Sequence, residues 1–378
     1  MGSLGHRAGV RHPAHRHVVV DDDTAVGEAR RIAHRLVTDL GGDPLAVTRA
    51  ELIATELGTN LLRHADPGGW LLLRPVPPGQ VEILAVDRGP GIRDVTAAVE
   101  GRAPAPKGLG CGLASVRRAS ALFDVHTRGG AGTVVLGLVD ITTATVPPRT
   151  CAGVSVGLCE ANGDAWAVRP ADAGRVGIAV VDGVGHGVAA SAAADVVIDV
   201  FGDEPTELTT FAGRANELAR GTRGAVATVC VLDPGTDTLS CLAIGNVNGR
   251  ILIDDGAEKG IVTFNGSLGL VARPPSARVQ HYPWPAGATL VLWSDGLRSR
   301  LDLSACRDLF GHDPAVAAAV LHRDYARGTD DATVVVAHRP AADVPAGDRE
   351  DRSARHAADG VAGGVAGGAR SGDFRGAR

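Results

Sequence analysis

At 378 residues the chain is long enough for two or three domains of about 150 residues each. A formal net charge of -5 without a basic stripe argues against nucleic acid as the main partner, and no apolar run reaches the ~20 residues that a membrane span needs. Hydrophobic residues make up 44% of the chain but aromatics only 3%, so the core must be built from small aliphatic side chains.

Residues 1–16 read as a flexible tail, polar and without the apolar segment of a secretory signal. His12, His15 and His17 have no carboxylate or cysteine nearby to complete a metal site. Residues 17–140 form a first globular unit. It opens with a short strand and an Asp cap. A helix follows with Val26, Ala29, Ala33, Leu36, Val37 and Leu40 on one face, ending at Gly41-Gly42. A second helix runs from about Leu45 to His64, and a third lies near Leu113–Leu122. Strands are expected at Trp70–Leu73, Val81–Val86 and Thr133–Val139. Residues 141–150, with Pro147-Pro148, read as a linker. Residues 151–340 form a second unit of Val-rich strands, with helices near Val188–Val200, Glu207–Ala219 and Pro314–His322. Residues 341–378 carry almost no large apolar side chains and are expected to be disordered. The six cysteines form no C-x-x-C pair and read as reduced, buried thiols of a cytoplasmic protein.

Two constellations carry chemistry. In the second helix Ile53, Leu57 and Leu61 form a core stripe, and Glu56, Asn60 and His64 lie on the adjacent stripe. A carboxylate and an amide on neighbouring turns suit a divalent cation and a polar substrate, although a solvated helix face has the same pattern. "ILAVDRGPGI" then places Asp87 at a strand end before Gly89 and Gly91, where a carboxylate can accept from an exocyclic amine. "KGLGCGLASVRRA" places Lys107, Gly108, Gly110 and Gly112 before a helix, where backbone amides can approach phosphate. These glycines do not follow a strand, which excludes a dinucleotide fingerprint.

Together with "GGAGTVVL", which contains Thr133, this ordered set resembles the ATPase domain shared by gyrase, Hsp90 and histidine kinases. Within that group it is most similar to the bacterial anti-sigma-factor and switch-protein serine kinases. The resemblance implies a two-layer α/β sandwich of the Bergerat type that binds ATP with Mg2+. Asn60 would hold Mg2+, Glu56 would be the base near the acceptor hydroxyl, and Asp87 would contact adenine. Gly108, Gly110 and Gly112 would line the triphosphate, and the segment from Arg93 to Lys107 would be a short lid. Gly89, Gly91, Lys107 and Thr133 complete the expected nucleotide site.

The second constellation lies in the second unit. "VVDGVGHG" ends a buried strand on Asp182 and continues into glycine-rich chain. "EANGDAWAV" places Asp164 at a hairpin, "TLVLWSDGLRSR" places Asp295 at a strand end, and "RGTDDATVVV" places Asp330 and Asp331 before a last strand. Any one of these is ordinary turn chemistry, but four acidic positions abutting Val/Leu-rich strands suit hard cations. N-G-D, D-G-x-G-H-G, S-D-G and D-D-x-T in this order resemble the SpoIIE-type metal-dependent serine/threonine phosphatases. That likeness implies a β-sandwich flanked by helices, hence an α/β (α+β) chain overall, with two Mn2+ or Mg2+ ions. Asp182 would bridge them, the Gly183 carbonyl would bind one, Asp295 and Asp330 would complete the shell, with Asp331 the alternative to Asp330, and Asp164 would act through metal-bound water. His186 is expected to be a helix-start residue.

Together the resemblances imply a bifunctional switch regulator. A serine/threonine kinase would modify a STAS-type antagonist, and a phosphatase would remove the same or a related phosphate. The alternative is a phosphatase with an ATP-binding docking module that sequesters a sigma factor or antagonist without phosphotransfer. The substrate's identity and a homodimeric state are left open.

Overall fold

The computed structural model describes residues 11–102, 112–141, 149–253 and 256–340. Lys107, Gly108, Gly110, Cys111, most of the 141–150 segment and the 341–378 tail therefore lie outside the described residues.

The first unit contains strand β1 (Arg16–Val20), helices α1 (Asp23–Asp39) and α2 (Pro44–His64), strands β2 (Gly69–Val76) and β3 (Gln80–Asp87), helices α3 (Val95–Val99) and α4 (Gly112–Ala119), and strands β4 (Leu122–Arg128) and β5 (Gly132–Asp140). The side chains of Asp22 and Asp43 accept from the amides of Ala25 and Ala46 and start the two long helices. The strands form one antiparallel sheet in the order β1-β2-β3-β5-β4. Along β3, Val81, Ile83 and Ala85 pack with Ile53, Leu57 and Leu61 of α2. Leu84 and Val86 belong to a different core on the opposite face. With a side-chain period of two, β3 is apolar on both faces and needs two covers.

The second unit is a sandwich of two antiparallel sheets. Its strands are β6 (Cys151–Val156), β7 (Asp164–Pro170), β8 (Val176–Gly183), β9 (Ala225–Asp233), β10 (Thr238–Ile244), β11 (Asn248–Leu252), β12 (Glu258–Gly260), β13 (Gln280–Pro283), β14 (Thr289–Trp293) and β15 (Ala332–His338). One sheet has the order β13-β10-β9-β8-β7 and the other β12-β11-β14-β15-β6. Trp166, Ile178, Val180, Leu290, Leu292 and Val335 fill the space between them. Helices α5 (Val188–Asp203) and α6 (Leu208–Leu218) cover the outer face of the first sheet through Val197, Ile198, Phe201 and Phe211.

Helix α7 (Pro314–Tyr325) covers the outer face of the other sheet. Its sequence, P-A-V-A-A-A-V-L-H-R-D-Y, has no polar face in its first turns, and every residue from Pro314 to Arg323 is buried. A helix apolar all round must be covered all round. The second cover is the first unit: Leu72, Leu84, Val86, Val134 and Leu136 share one core with Val316, Val320 and Leu321 of α7 and Val334 and Val336 of β15. The two units are thus stacked through one shared helix.

Several expectations need correction. Residues 11–16 are not a loose tail. His12 stacks on Trp166 with ring centroids 4.0 Å apart, the His15 amide donates to the Ser155 carbonyl at 2.9 Å, and Arg16 begins β1. The far end of the 141–150 segment is structural as well, since the Arg149 side chain is 9% exposed in an ion-pair cluster. Cys230 and Cys241, opposite each other on β9 and β10, form a disulfide, while Cys159 is exposed and Cys151 and Cys306 are half-buried. The cysteines are therefore not uniformly reduced and buried. Strand β4 and helix α3 were not foreseen. No helix among the described residues is long and apolar enough to cross a membrane.

The joint between the units contains a buried charge cluster. Glu82 of β3 accepts from Arg74 Nε at 2.8 Å, pairs with Arg149 at 2.7 Å, and lies 3.1 Å from His15 Nε2. Arg149 also reaches Asp313, the cap of α7, at 3.3 Å. Burial alone would raise the Glu82 pKa. Arg74, then Arg149 and His15, outweigh it and hold the carboxyl well below the usual range. Burial lowers the pKa of His15, and a neutral ring protonated at Nε2 fits both Glu82 and the Ser155 amide that approaches Nδ1.

Glu82→Ala should cost about 3–5 kcal/mol in chemical denaturation, because it leaves two buried guanidiniums without their carboxylate. A second expectation concerns pH. Burial is the largest cause lowering the His322 pKa, to about 3. The folded value lies below the unfolded one, so the unfolded chain takes the proton first. This stability is complete above about pH 6.5 and falls as pH drops toward 3. Between pH 6.5 and 5 the wild type should lose about 2 kcal/mol more than His322→Gln in parallel melts.

Candidate functional site

The described residues of the expected nucleotide site fall in two groups, one around Asp87 at the end of β3 and one where Glu56 and Asn60 of α2 face Gly112. Asp87 ends β3, and its Oδ1 accepts from the Gly89 amide at 2.8 Å and the Thr133 amide at 3.1 Å. Burial pushes its pKa up. Gly91 has φ +78, and a Cβ there would come within 2.8 Å of the Arg128 carbonyl oxygen. Across the site, a Cβ on Gly112 would lie 3.1 Å from both Asn60 Oδ1 and Glu56 Oε2. The start of α4 therefore lies directly against the polar stripe of α2, and glycine keeps the space between them open. An amide, a carboxylate and a glycine-opened helix start fit Mg2+ and phosphate. His64 is exposed on the helix surface.

The acidic residues of the second unit also come together. Asp164 at the start of β7 lies opposite Asp182 near the end of β8. Asp295 follows β14, and Asp330 and Asp331 precede β15. Close backbone approaches make this possible. A Cβ on Gly183 would lie 2.1 Å from the Ala190 carbonyl oxygen, and one on Gly296 would lie 1.9 Å from that of Asp331. Only glycine fits at either position, which explains the residue that follows each aspartate.

Burial, then repulsion from Asp164, Asp295 and Asp330, raises Asp182 to about 9. Burial likewise raises Asp164 to about 7, against hydrogen bonds from Ser294 and Thr333 that lower it. Asp295 is raised by burial and by Asp330, and it accepts from Asn246 Nδ2 at 2.6 Å. A patch of carboxylates that repel one another this way fits divalent cations. The fit is by charge and donor type. Among the described residues no three His, Cys, Asp or Glu side chains are placed so that they could hold a metal ion as they stand.

Asp331 has a different task. Its Oδ1 accepts from the Leu158 amide and its Oδ2 from the Gly163 amide, both at 2.7 Å. It fastens the Asp164 turn, while Asp330 lies in the electrostatic reach of Asp182 and Asp295. His186 is exposed just before α5. Sequence reasoning missed the supporting network. Ser294 Oγ donates to Asp164 Oδ2 at 2.6 Å and receives the Thr333 amide at 3.0 Å. Thr333 and Ser155 hydroxyls meet at 2.6 Å, and Asn162 Nδ2 donates to Ser155 at 2.9 Å. Three of these residues stand inside the N-G-D, S-D-G and D-D-x-T motifs, which is the signal that was available. A depression of about 530 Å³ lined by Asp172, Arg175 and Glu204 lies at the far end of β7 and β8 and takes no part in this site.

Comparisons with known proteins match two separate parts of the chain. Residues 19–137 match the family model of the histidine kinase-like ATPase domain, and residues 172–340 match that of stage II sporulation protein E (SpoIIE). The serine/threonine-protein kinase RsbT of Bacillus subtilis (strain 168) is 28% identical over 109 residues, covering 28% of this chain and 82% of the relative. A solved structure from the bacterial stressosome is 26% identical and covers 50% of this chain and 98% of its own, with a TM-score of 0.45. RsbX in complex with magnesium is 20% identical and covers 49% and 92%, with a TM-score of 0.43.

Asp182→Asn should melt higher than the wild type in chelator, because it removes a carboxylate whose ionisation opposes folding. On adding Mn2+ or Mg2+, the wild type should gain melting temperature and Asp182→Asn should gain little. Asp331→Asn should melt lower than the wild type in chelator, since an amide nitrogen would then face a backbone donor.

Proposed function

We propose that this chain, which joins a histidine kinase-like ATPase domain to a SpoIIE-type serine/threonine phosphatase domain, sets the phosphorylation of a STAS-type antagonist from both directions. The observation that carries the reading is the cluster of Asp164, Asp182, Asp295 and Asp330, buried at Asp164 and half-buried at the others, whose mutual repulsion divalent cations would relieve. Asp182, Asp295, Asp330 and the Gly183 carbonyl would hold two Mn2+ or Mg2+ ions. When bound, such ions supply a water nucleophile near neutral pH and offset phosphate charge. Ser294 fixes Oδ2 of Asp164, so that carboxylate keeps one orientation toward Asp182. Asp331 fixes the turn beneath it.

In the first unit Asp87, already oriented by two backbone amides, would accept from the adenine amine. Asn60 would hold Mg2+, and Glu56 would take the proton of the acceptor serine or threonine hydroxyl as the γ-phosphoryl group leaves ATP. The likeness to the kinase RsbT supports phosphotransfer over simple docking. A phosphate adds about two negative charges to the antagonist and can make or break its interface with a sigma factor or other partner.

The test incubates candidate STAS proteins with ATP and Mg2+, then with Mn2+ after ATP removal, and follows phosphate by mass spectrometry. Phosphate should appear in the first step and disappear in the second, and chelator should block its loss. Glu56→Ala should keep ATP affinity while transfer falls by about 100-fold or more. Transfer unaffected by that change would leave Glu56 without its role, and full dephosphorylation in excess chelator would end the metal reading.

A further inference from the structure

Arg11 lies before the first unit in sequence, yet its guanidinium sits in the second unit beside the carboxylate patch. One terminal nitrogen, Nη2, donates to the carbonyl of Asn162 at 2.9 Å and to that of Asp164 at 2.5 Å. The other, Nη1, donates to Ser191 Oγ at 3.0 Å and pairs with Asp195. The first two acceptors flank Gly163 in the turn that bears Asp164. The last two lie on α5, which begins right after the D-G-x-G-H-G loop that bears Asp182. One planar fork therefore ties the Asp164 turn to the helix that carries the Asp182 loop onward.

The tie acts on a tightly packed joint. A Cβ on Gly163 would lie 2.8 Å from Asp331 Oδ2, 3.0 Å from Ala190 Cβ and 3.2 Å from the Gly185 carbonyl oxygen. The Gly183 amide donates to the Gly163 carbonyl at 3.1 Å. A small outward shift of this turn would move Asp164 relative to Asp182 and break these contacts together. Arg11 holds this joint from outside, bonding the carbonyls of Asn162 and Asp164 on one side and Ser191 and Asp195 of α5 on the other. Its own position is fixed by the strap that follows. The His12 amide donates to the Trp166 carbonyl at 2.9 Å, the His12 ring stacks on Trp166, and the His15 amide reaches Ser155.

We propose that Arg11 is a positioning residue for the metal centre, supplied by a strap of chain that precedes the ATPase-like unit, and that it preorganises the Asp164 turn and the Asp182 loop for divalent cations. This rests on the metal-dependent phosphatase reading given above. The strap makes the phosphatase-like unit dependent on residues outside its own sequence block. A segment beginning at Cys151 lacks the fork, although it contains every acidic residue of the site.

The test uses the full chain and reads Mn2+ binding by calorimetry, which requires no substrate. Arg11→Ala should weaken Mn2+ binding by about 10-fold or more, a loss that corresponds to about 1.4 kcal/mol. Turnover at saturating Mn2+ should stay within about threefold of the wild type, because Arg11 touches no reacting atom. ATP affinity should be unchanged. Arg11→Gln keeps part of the stem and one donor group, so it serves if the alanine variant fails to fold. It should show the same loss of Mn2+ affinity to a smaller degree. A cooperative melt in chelator establishes that each variant is folded. Wild-type Mn2+ affinity in the folded variants would overturn the proposal. Absence of Mn2+ binding by the wild type would instead overturn the metal reading on which it rests.

Discussion

Helix α7 has no solvent face along most of its length, and that constraint organises the molecule. Ten consecutive residues, Pro314 to Arg323, are buried. The sandwich sheet covers one side and the ATPase-like sheet the other. Alanines at 315 and 317–319 let both sheets approach closely, and the larger Val316, Val320 and Leu321 fill what remains. Neither unit has a complete apolar core on this side without the other. The same helix also reaches the supports of both candidate sites. Near its end, the Arg323 guanidinium donates to the Asp87 carbonyl at 3.2 Å, and Arg88 donates to the Arg323 carbonyl. Just beyond, the Arg298 amide donates to the Tyr325 carbonyl and the Arg327 amide to that of Gly296, both at 2.9 Å.

Two groups of buried or half-buried carboxylates lie within this framework, and the protein treats them in opposite ways. Glu82 is paired with two arginines and a histidine, so its pKa falls despite full burial. Its charge is satisfied by the chain itself. Around Asp182 burial and neighbouring carboxylates act in the same direction, and the pKa rises. Hydrogen bonds from Ser294 and Asn246 orient Asp164 and Asp295 but bring no positive charge. A buried carboxylate network with internal cations is a structural joint. One dominated by neighbouring carboxylates, even with Arg327 lowering Asp295, fits an external cation, and this difference in charge separates the two better than burial does.

Much of this was legible in the sequence because the signals were local. Strand-end aspartates with a glycine one or two residues on mark Asp87, Asp182 and Asp295, and the 3.6-residue period marks the core stripe of α2. The apolar stretch at 314–322 was also legible as a helix. Its two-sided burial was not, because local pattern shows that a face must be covered and not by what. Residues 11–16 were misread for a related reason. A short polar stretch carries no periodic signal, and its order comes from partners about 140 or more residues away, such as Ser155 and Trp166. The supporting Ser294 and Thr333 stood inside recognised motifs but were passed over beside their acidic neighbours.

The position of β3 shows why the two units cannot be treated as beads on a linker. Ile83 and Ala85 belong to the ATPase-like core, whereas Leu84 and Val86 belong to the core shared with α7. Asp87 is the next residue along the strand, so the candidate adenine contact is held by a strand whose two faces answer to different parts of the chain. Its carbonyl is also held by Arg323. A shift of α7 would therefore act on Asp87 through side-chain packing and through its own backbone. At the other end of the helix, Asp313 caps α7 and meets Arg149, which meets Glu82 on the same strand. The strand is anchored to α7 at two points, an ion-pair network near its start and a hydrogen bond from the Arg323 guanidinium to the Asp87 carbonyl at its end. Two anchors fix an orientation that one would leave free to pivot, and the placement of the candidate nucleotide site against the second unit follows from that geometry.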